Sequence, residues 1–481
     1  MILGVDIGTT SAKAAGFDAD GTMHAVAAAE YPLHEPHPGW AEQDAEQVVA
    51  AVLQVLEQAR DATVTGIGFS TAMHSLVGLD GDGKPLTGLI TWADTRALAQ
   101  AQRLKAEHPE LHARTGTPLH PMSPLAKLCW FRECDPDTFA RVERWCGIKD
   151  LVLERLTGQW VMDHSAASGS GLMDVHRLDW DPLALELAGV RPQQLPRLVP
   201  VKETLDWEVP IVAGAGDGPL ANLGVGAVRP GVAAVSIGTS GALRVMVEDP
   251  SIDERGRVFC YALTPGRWAV GGAINNGGVV LQWVGESLAP DLGVHHEHDL
   301  LELAAQVPAG SEGLVMLPAL LSERAPHWSA IPRGAYVGLT RSHGRGHLIR
   351  AAVEGVCLQL ALVLASVRDA GYEVHEIRAT GGFAQSDLWR QMLADALGMP
   401  IGFPEGHEGS AFGAALVAKE ALEGVSIDVA ADIVALKETV DPKPQAAAVY
   451  ERLLPIFDGL YQALGPAFSA LREEGRRQVG A

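Results

Sequence analysis

The sequence predicts an α/β protein built as two lobes, and three observations predict it. The chain has 481 residues, enough for two to four domains. It is 47% hydrophobic and 20% charged, so it can bury large cores. Most tellingly, Val5-Asp6-Ile7-Gly8-Thr9-Thr10 returns without gaps as Val235-Ser236-Ile237-Gly238-Thr239-Ser240. One such segment is an ordinary hairpin; two imply a shared physical job, one per lobe.

In the first copy an apolar strand meets a glycine that can take φ > 0 and turn the chain. Two hydroxylated residues, Thr9 and Thr10, follow, and then a second strand that ends near Asp18-Ala19-Asp20-Gly21. Free backbone N–H groups and two hydroxyls at a hairpin tip make a cradle for phosphate oxygens. The copies differ at one telling place, Asp6 against Ser236. An acid in a phosphate cradle needs a cation beside it, so Asp6 reads as a magnesium ligand acting through water. Lys13 reads either as a point charge for a terminal phosphate or as a solvated strand lysine.

Further along, Asp44-Ala45-Glu46-Gln47 is a capping box ahead of a helix whose apolar side carries Val48, Val49, Val52, Val55 and Leu56. In Val212-Ala213-Gly214-Ala215-Gly216-Asp217-Gly218-Pro219 an apolar strand delivers one acid into a turn of small residues. Asp217 is thus either a carboxylate exposed to a ligand, able to accept a hydroxyl proton, or a plain Asp-Gly turn. Turn residues at Val228-Arg229-Pro230-Gly231 place a lobe boundary there. Ile349 to Val367 has the spacing of a core helix of the second lobe. The expected division is 1–229, 230–425 and a helical tail 426–481 packed on the body, with Arg472 to Ala481 frayed.

Composition excludes several classes. Net charge is −22, with 59 acidic against 37 basic residues, which argues against nucleic acid or an anionic membrane as partner. Five scattered cysteines form no Cys-x-x-Cys pair and read as buried small hydrophobes in a reducing compartment. No basic leader and no uninterrupted bilayer-length apolar run appear, so the expectation is a cytoplasmic protein. His295-His296-Glu297-His298 looks metal-like but reads as a solvated loop or helix start. Gly68-Phe69-Ser70-Thr71-Ala72 approaches a nucleophile elbow but ends in alanine, with no partner His-Asp pair. Neither GxGxxG nor GxxxxGK[ST] occurs in usable form.

From residue 1 to about 425 the chain resembles the FGGY carbohydrate kinases. Met122-Ser123-Pro124-Leu125-Ala126-Lys127-Leu128-Cys129-Trp130 is similar to that family's first signature, and Thr91-Trp92-Ala93-Asp94-Thr95-Arg96 to its W-x-D-x-R motif. Ser322-Glu323-Arg324-Ala325-Pro326 is similar to the G-E-R-x-P segment, with Ser322 in place of glycine; Gly381-Gly382-Phe383-Ala384-Gln385-Ser386 is similar to the adenosine-binding turn. The resemblance implies two RNase H-like α/β lobes of the actin, hexokinase and heat-shock-70 type around a cleft. It implies ATP with Mg2+ and a small sugar as partners.

Carried over by residue, the resemblance makes Asp217 the catalytic base, and Thr239, Gly278, Gln282, Gly382 and Ser386 nucleotide contacts. Met73 and His74 would touch the sugar, Trp92, Asp94 and Arg96 would line or brace its pocket, and Lys127 and Trp130 would be structural. Lobe closure would exclude water. The local wording around Met73-His74, Thr91-Trp92, Gly116-Thr117-Pro118-Leu119-His120-Pro121 and Gly147-Ile148-Lys149 most resembles the family's gluconate kinases, with xylulose kinases next. Gluconate carries a carboxylate, for which His74, Arg96, His120 and Lys149 are the candidate donors. The rivals are a sugar sensor and an actin-like ATPase; a homodimer is left open.

Overall fold

The computed structural model describes all residues except 251, 293–296, 405–408 and 480–481. The chain forms two compact units. The first is Met1–Pro230 with Val245–Val270 and Gly406–Ala435; the second is Gly231–Arg244, Gly271–Glu405 and Leu436–Ala481. The division therefore differs from the expected 1–229, 230–425 and 426–481: the first break falls one residue later, at Pro230/Gly231, and later segments return to the first unit.

In the first unit a six-stranded sheet runs Thr204–Leu205, Ile211–Gly216, Gly66–Thr71, Ile2–Ile7, Ser11–Phe17, Met23–Glu30. Ile2–Ile7 is parallel to Gly66–Thr71, which is parallel to Ile211–Gly216, and it forms the first hairpin with Ser11–Phe17. A second sheet, of seven strands, repeats the order and adds Phe259–Thr264 at its edge beyond Arg267–Ile274. Leu436–Val440, Ile401–Pro404, Glu376–Thr380, Val232–Ile237, Gly241–Val247 and Arg267–Ile274 are neighbours in that sequence. Again the two strands next to the hairpin pair in parallel, and the strand beyond them is antiparallel. The repeated hairpin thus belongs to a repeated sheet, the duplicated α/β architecture the resemblance implies.

Helix Ala45–Ala59 begins where Asp44 accepts from the N–H groups of Glu46 and Gln47, and all five expected apolar residues are buried. Helix Arg345–Asp369 is long and apolar enough to cross a membrane, yet it is buried along nearly all its length as a core helix of the second unit. Four cysteines are buried as expected, but Cys134 is exposed. The C-terminal segment is more than a tail. Helix Pro444–Val479 buries Tyr450, Phe457, Tyr461 and Phe468 against Val315, Leu317, Leu358 and Leu362. It continues past Arg472, where fraying is expected, to Val479. His295 and His296 lie outside the described residues; Glu297 and His298 open helix Glu297–Ala305.

Neither tip glycine has φ > 0. Gly8 donates to the carbonyl of Ser11 at 3.0 Å, and Gly238 to that of Ser240 at 2.8 Å. The turns close through those bonds, without the left-handed conformation expected of them.

Candidate active site

The first unit brings three polar side chains to neighbouring strands of one sheet. Asp6 stands in register between Lys13 on one side and Ser70 on the other. Ser70 Oγ donates to Asp6 Oδ1 at 2.6 Å. On the next strand Ala215 is opposite Ser70 and Gly216 opposite Thr71, so Asp217 emerges at the same end of the sheet. The hairpin tip above Asp6 is braced from three directions. Tyr31 donates to the Gly8 carbonyl at 2.7 Å, the Gln43 amide donates to the Thr9 carbonyl, and Trp92 Nε1 donates to Thr9 Oγ1 at 2.9 Å. Burial, and after it the charge of Asp6, raises the Tyr31 hydroxyl above its ordinary pKa, so it stays a donor.

Asp217 is the first residue of helix Asp217–Gly224, where the helix dipole favours a carboxylate. Its Oδ1 accepts from the N–H of Gly218 at 2.7 Å. Met73 packs beside the preceding residue: a Cβ on Gly216 would lie 2.7 Å from Met73 Sδ, so a larger residue there would displace the methionine side chain. His74 has φ +68, and its Nδ1 is 2.7 Å from the carbonyl oxygen of Gly169. A carbonyl only accepts, so Nδ1 carries the proton, and the neutral ring presents Nε2 as an acceptor. Tyr261 meets the His74 ring edge-on at 5.8 Å between centroids, and Ser165 Oγ accepts from the N–H of Gly216 at 3.2 Å. Gly169, Tyr261 and Ser165 were not legible in sequence: no motif contains them.

Of the remaining substrate candidates, most are braces. Asp94 is buried and accepts from the N–H groups of Ala41 and Arg96. Arg96 pairs with Asp94 and Glu42 and lies over Trp40 at 3.7 Å and Trp130 at 5.2 Å, so its guanidinium is engaged inside the fold. Lys149 is likewise engaged: its Nζ is 2.6 Å from Asp163 Oδ2, with both side chains buried. Beside that pair, burial pushes the Asp150 carboxyl up to about 8, aided by Asp163 and opposed by the Gly147 N–H and Lys149. The expectation that Arg96 or Lys149 meets a substrate carboxylate therefore meets an obstacle in these internal ion pairs. His120 is buried, and its Nδ1 accepts from the N–H of Met122 at 3.3 Å, so Nε2 bears the proton of the neutral ring. Lys127, fully buried, donates to the carbonyls of His74 at 2.6 Å and Thr91 at 2.9 Å; burial pulls its ammonium down to about 7 against the opposing pull of Asp94.

The second unit contains a cavity of about 660 Å³, within the range of small-molecule sites. Thr239, Gly278, Gln282 and Gly382 line it, together with Phe383 and Trp389. Its phosphate-like tip is held by main chain: Gly277 donates to the Thr239 carbonyl and Gly278 to that of Gly238, at 3.1 and 2.7 Å. Gly381 has φ +120, and a Cβ there would lie 2.1 Å from the Ile237 carbonyl oxygen, so this turn requires glycine. The Gln282 amide donates to Glu286 at 2.9 Å. Ser386 instead caps helix Asp387–Leu397 through the N–H of Trp389 at 3.3 Å, and it does not line the cavity. Glu323 is buried and accepts from the Asn275 and Arg324 N–H groups and the Asn276 amide, bracing the approach to Gly277. Phe383 and Trp389 lie in or beside quoted motifs, but nothing in sequence marks them as cavity walls. Among the described residues no group of three His, Cys, Asp or Glu side chains can hold a metal alone.

Two α/β units of repeated topology, one with an acid at a strand end beside a braced hairpin and one with a glycine-lined cavity, define a two-lobed phosphotransferase. The models of the FGGY family of carbohydrate kinases match both halves, the N-terminal domain over residues 1–224 and the C-terminal domain over 233–422. The chain belongs to that family and is an ATP-dependent carbohydrate kinase. It is 39% identical to a gluconokinase of Bacillus subtilis, over 99% of this chain and 98% of the relative. It is 31% identical to a xylulose kinase of Escherichia coli, over 97% and 99%. Among solved structures, gluconate kinase from Lactobacillus acidophilus superposes with a TM-score of 0.92 at 33% identity, covering 98% of this chain and 99% of that one. Ligand-bound xylulose kinase from the same organism gives 0.93, also at 33%, with the same coverage.

Proposed function

We propose that the enzyme phosphorylates the primary hydroxyl of D-gluconate to give 6-phosphogluconate, with Asp217 as general base. The observation that carries the choice of sugar is the identity to gluconokinases: 39% and 40% in two Bacillus enzymes, against 31% in the E. coli xylulose kinase. The acceptor lies against Met73 and His74. As its oxygen forms the new bond to the γ-phosphorus and the bond to ADP breaks, Asp217 takes the hydroxyl proton. General-base assistance of this kind contributes about 10²–10⁴-fold. The Gly218 N–H holds one carboxylate oxygen of Asp217 at the first turn of its helix.

ATP occupies the cavity of the second unit, its base near Phe383 and Trp389 and its phosphates at Thr239 and Gly278. Thr9, Thr10 and Lys13 offer further phosphate donors from the first hairpin. Asp6 fits a magnesium site, since one carboxylate at a phosphate-binding tip leaves the other positions to water and phosphate oxygens. A magnesium ion held by Asp6 would supply charge neutralisation for phosphoryl transfer. With Arg96 and Lys149 committed elsewhere, the sugar carboxylate is met by His120 Nε2–H. The enzyme works in the cytoplasm on small molecules, in keeping with a net charge of −22.

A second reading, D-xylulose, is favoured by the TM-score of 0.93 to a xylulose kinase and by the internal ion pairs of Arg96 and Lys149. A coupled ADP-release assay with ATP and magnesium decides between them, using D-gluconate, D-xylulose, L-ribulose and glycerol. Turnover dependent on gluconate, with far weaker response to the neutral acceptors, is expected. A preference for xylulose would overturn the choice of sugar and leave the base assignment standing.

A further inference from the structure

We propose that Lys127 is a positioning residue that sets the acceptor loop through the main-chain carbonyls of His74 and Thr91. The inference rests on the reading that Met73 and His74 receive the sugar. Lys127 lies in helix Pro124–Cys134, and no part of its side chain reaches solvent. A buried ammonium is costly unless its protons are accepted, and a methionine of similar length would fill the same space without that cost. The ammonium is therefore retained for what it holds.

It holds two things. One is the carbonyl of His74, 2.6 Å away, in a non-glycine residue with φ +68, a conformation that persists only where its surroundings over-determine it. The Gly169 carbonyl fixes the ring of this residue, and Lys127 fixes its main chain. The other is the carbonyl of Thr91, 2.9 Å away. The next residue, Trp92, donates to Thr9 Oγ1 at the tip of the first hairpin. One ammonium thus ties the sugar loop to the segment that braces the phosphate tip, all within the first unit. Asp94, the acid nearest in sequence to Thr91, is already engaged by Arg96 and the Ala41 N–H, which leaves these carbonyls as the acceptors of Lys127.

The test is steady-state kinetics of Lys127→Met with the sugar that the unaltered enzyme prefers, together with titration of a fluorescent ATP analogue without sugar. The KM for the sugar is expected to rise tenfold or more, while the dissociation constant for the nucleotide stays within twofold. In a His74→Ala background the same substitution is expected to add less than twofold. Unchanged sugar KM with a lowered Tm, or fully additive effects in the double variant, would overturn the proposal and leave Lys127 as packing. Where Lys127→Met fails to fold, Lys127→Gln, which keeps N–H donors on a shorter stem, is read by the same two constants. An unaltered enzyme that phosphorylates none of the four acceptors would overturn the functional reading and this proposal together. An active one whose Lys127 variants keep their sugar KM would overturn this proposal alone.

Discussion

The two hairpin tips share a sequence pattern and differ in what holds them. The first is braced by side chains from three separate segments, Tyr31, Gln43 and Trp92, and carries an acid bonded by Ser70. The second is held through the main chain of Gly277 and Gly278, and it lines a cavity of about 660 Å³. On the proposed reading, the side-chain braces and carboxylate fix a charged group in one geometry, and the main chain and neighbouring glycines admit a bulky ligand. The same six-residue pattern therefore sits in two different settings, which its neighbours create.

The comparison can be broken most severely at Asp217, which only the first unit possesses. Asp217→Asn is expected to lower sugar phosphorylation by about 10²–10⁴-fold while ATP binding, read by a fluorescent analogue, is retained. Near-normal turnover would remove the acid from the mechanism. Next come reciprocal exchanges at the tips. Asp6→Ser makes the first tip like the second and should cost roughly 10²-fold in kcat with a raised magnesium requirement. Ser236→Asp makes the second like the first and should weaken ATP binding; indifference to both exchanges would dissolve the distinction.

Gly381→Ala probes the second unit alone. A methyl 2.1 Å from the Ile237 oxygen, at φ +120, strains the turn by about 1–3 kcal/mol and should raise the KM for ATP about tenfold without moving the KM for the sugar. Trp92→Phe removes one brace of the first tip, a hydrogen bond of about 1 kcal/mol, and should reduce kcat/KM a few-fold.

The smallest effect separates stability from chemistry in the first unit. Asp150 keeps its proton in the fold up to about pH 8 and loses it near pH 4 when unfolded. Between those values the folded state binds more protons, so stability falls as pH rises from about 4 to 8 and is level above. Asp150→Asn removes that slope. Its Tm relative to the unaltered enzyme should climb across the same window; a constant offset would mean that Asp150 is ionised throughout.

Much of the site could be read in advance because it is written in contiguous motifs. Thr239, Gly278, Gln282 and Gly382 do line one cavity, and Asp6 and Asp217 do emerge at one end of one sheet. What could not be read is how each cation is engaged. Arg96 looks like an available guanidinium in sequence, but Glu42, Trp40 and Trp130 enclose it from distant segments. Ser386 sits in a nucleotide motif, yet three residues on, the helix that begins there needs its oxygen as a cap. The C-terminal segment is legible as helical and packed on the body, but that one helix runs through Pro455 and Pro466 is not, because proline ordinarily interrupts a helix.

By itself the sequence determined the repeat, the strand-turn-strand tips, the acid at the end of an apolar strand and the family, since these depend on local order and composition. Tertiary structure alone decided that the sheets share one strand order, that Arg96 and Lys149 are internal partners, and that Lys127 holds two carbonyls. The physical reason is that a charged side chain's role depends on which groups desolvate and neutralise it. Those groups arrive from segments up to 56 residues away, here Trp40 against Arg96, a distance in sequence that no local pattern encodes.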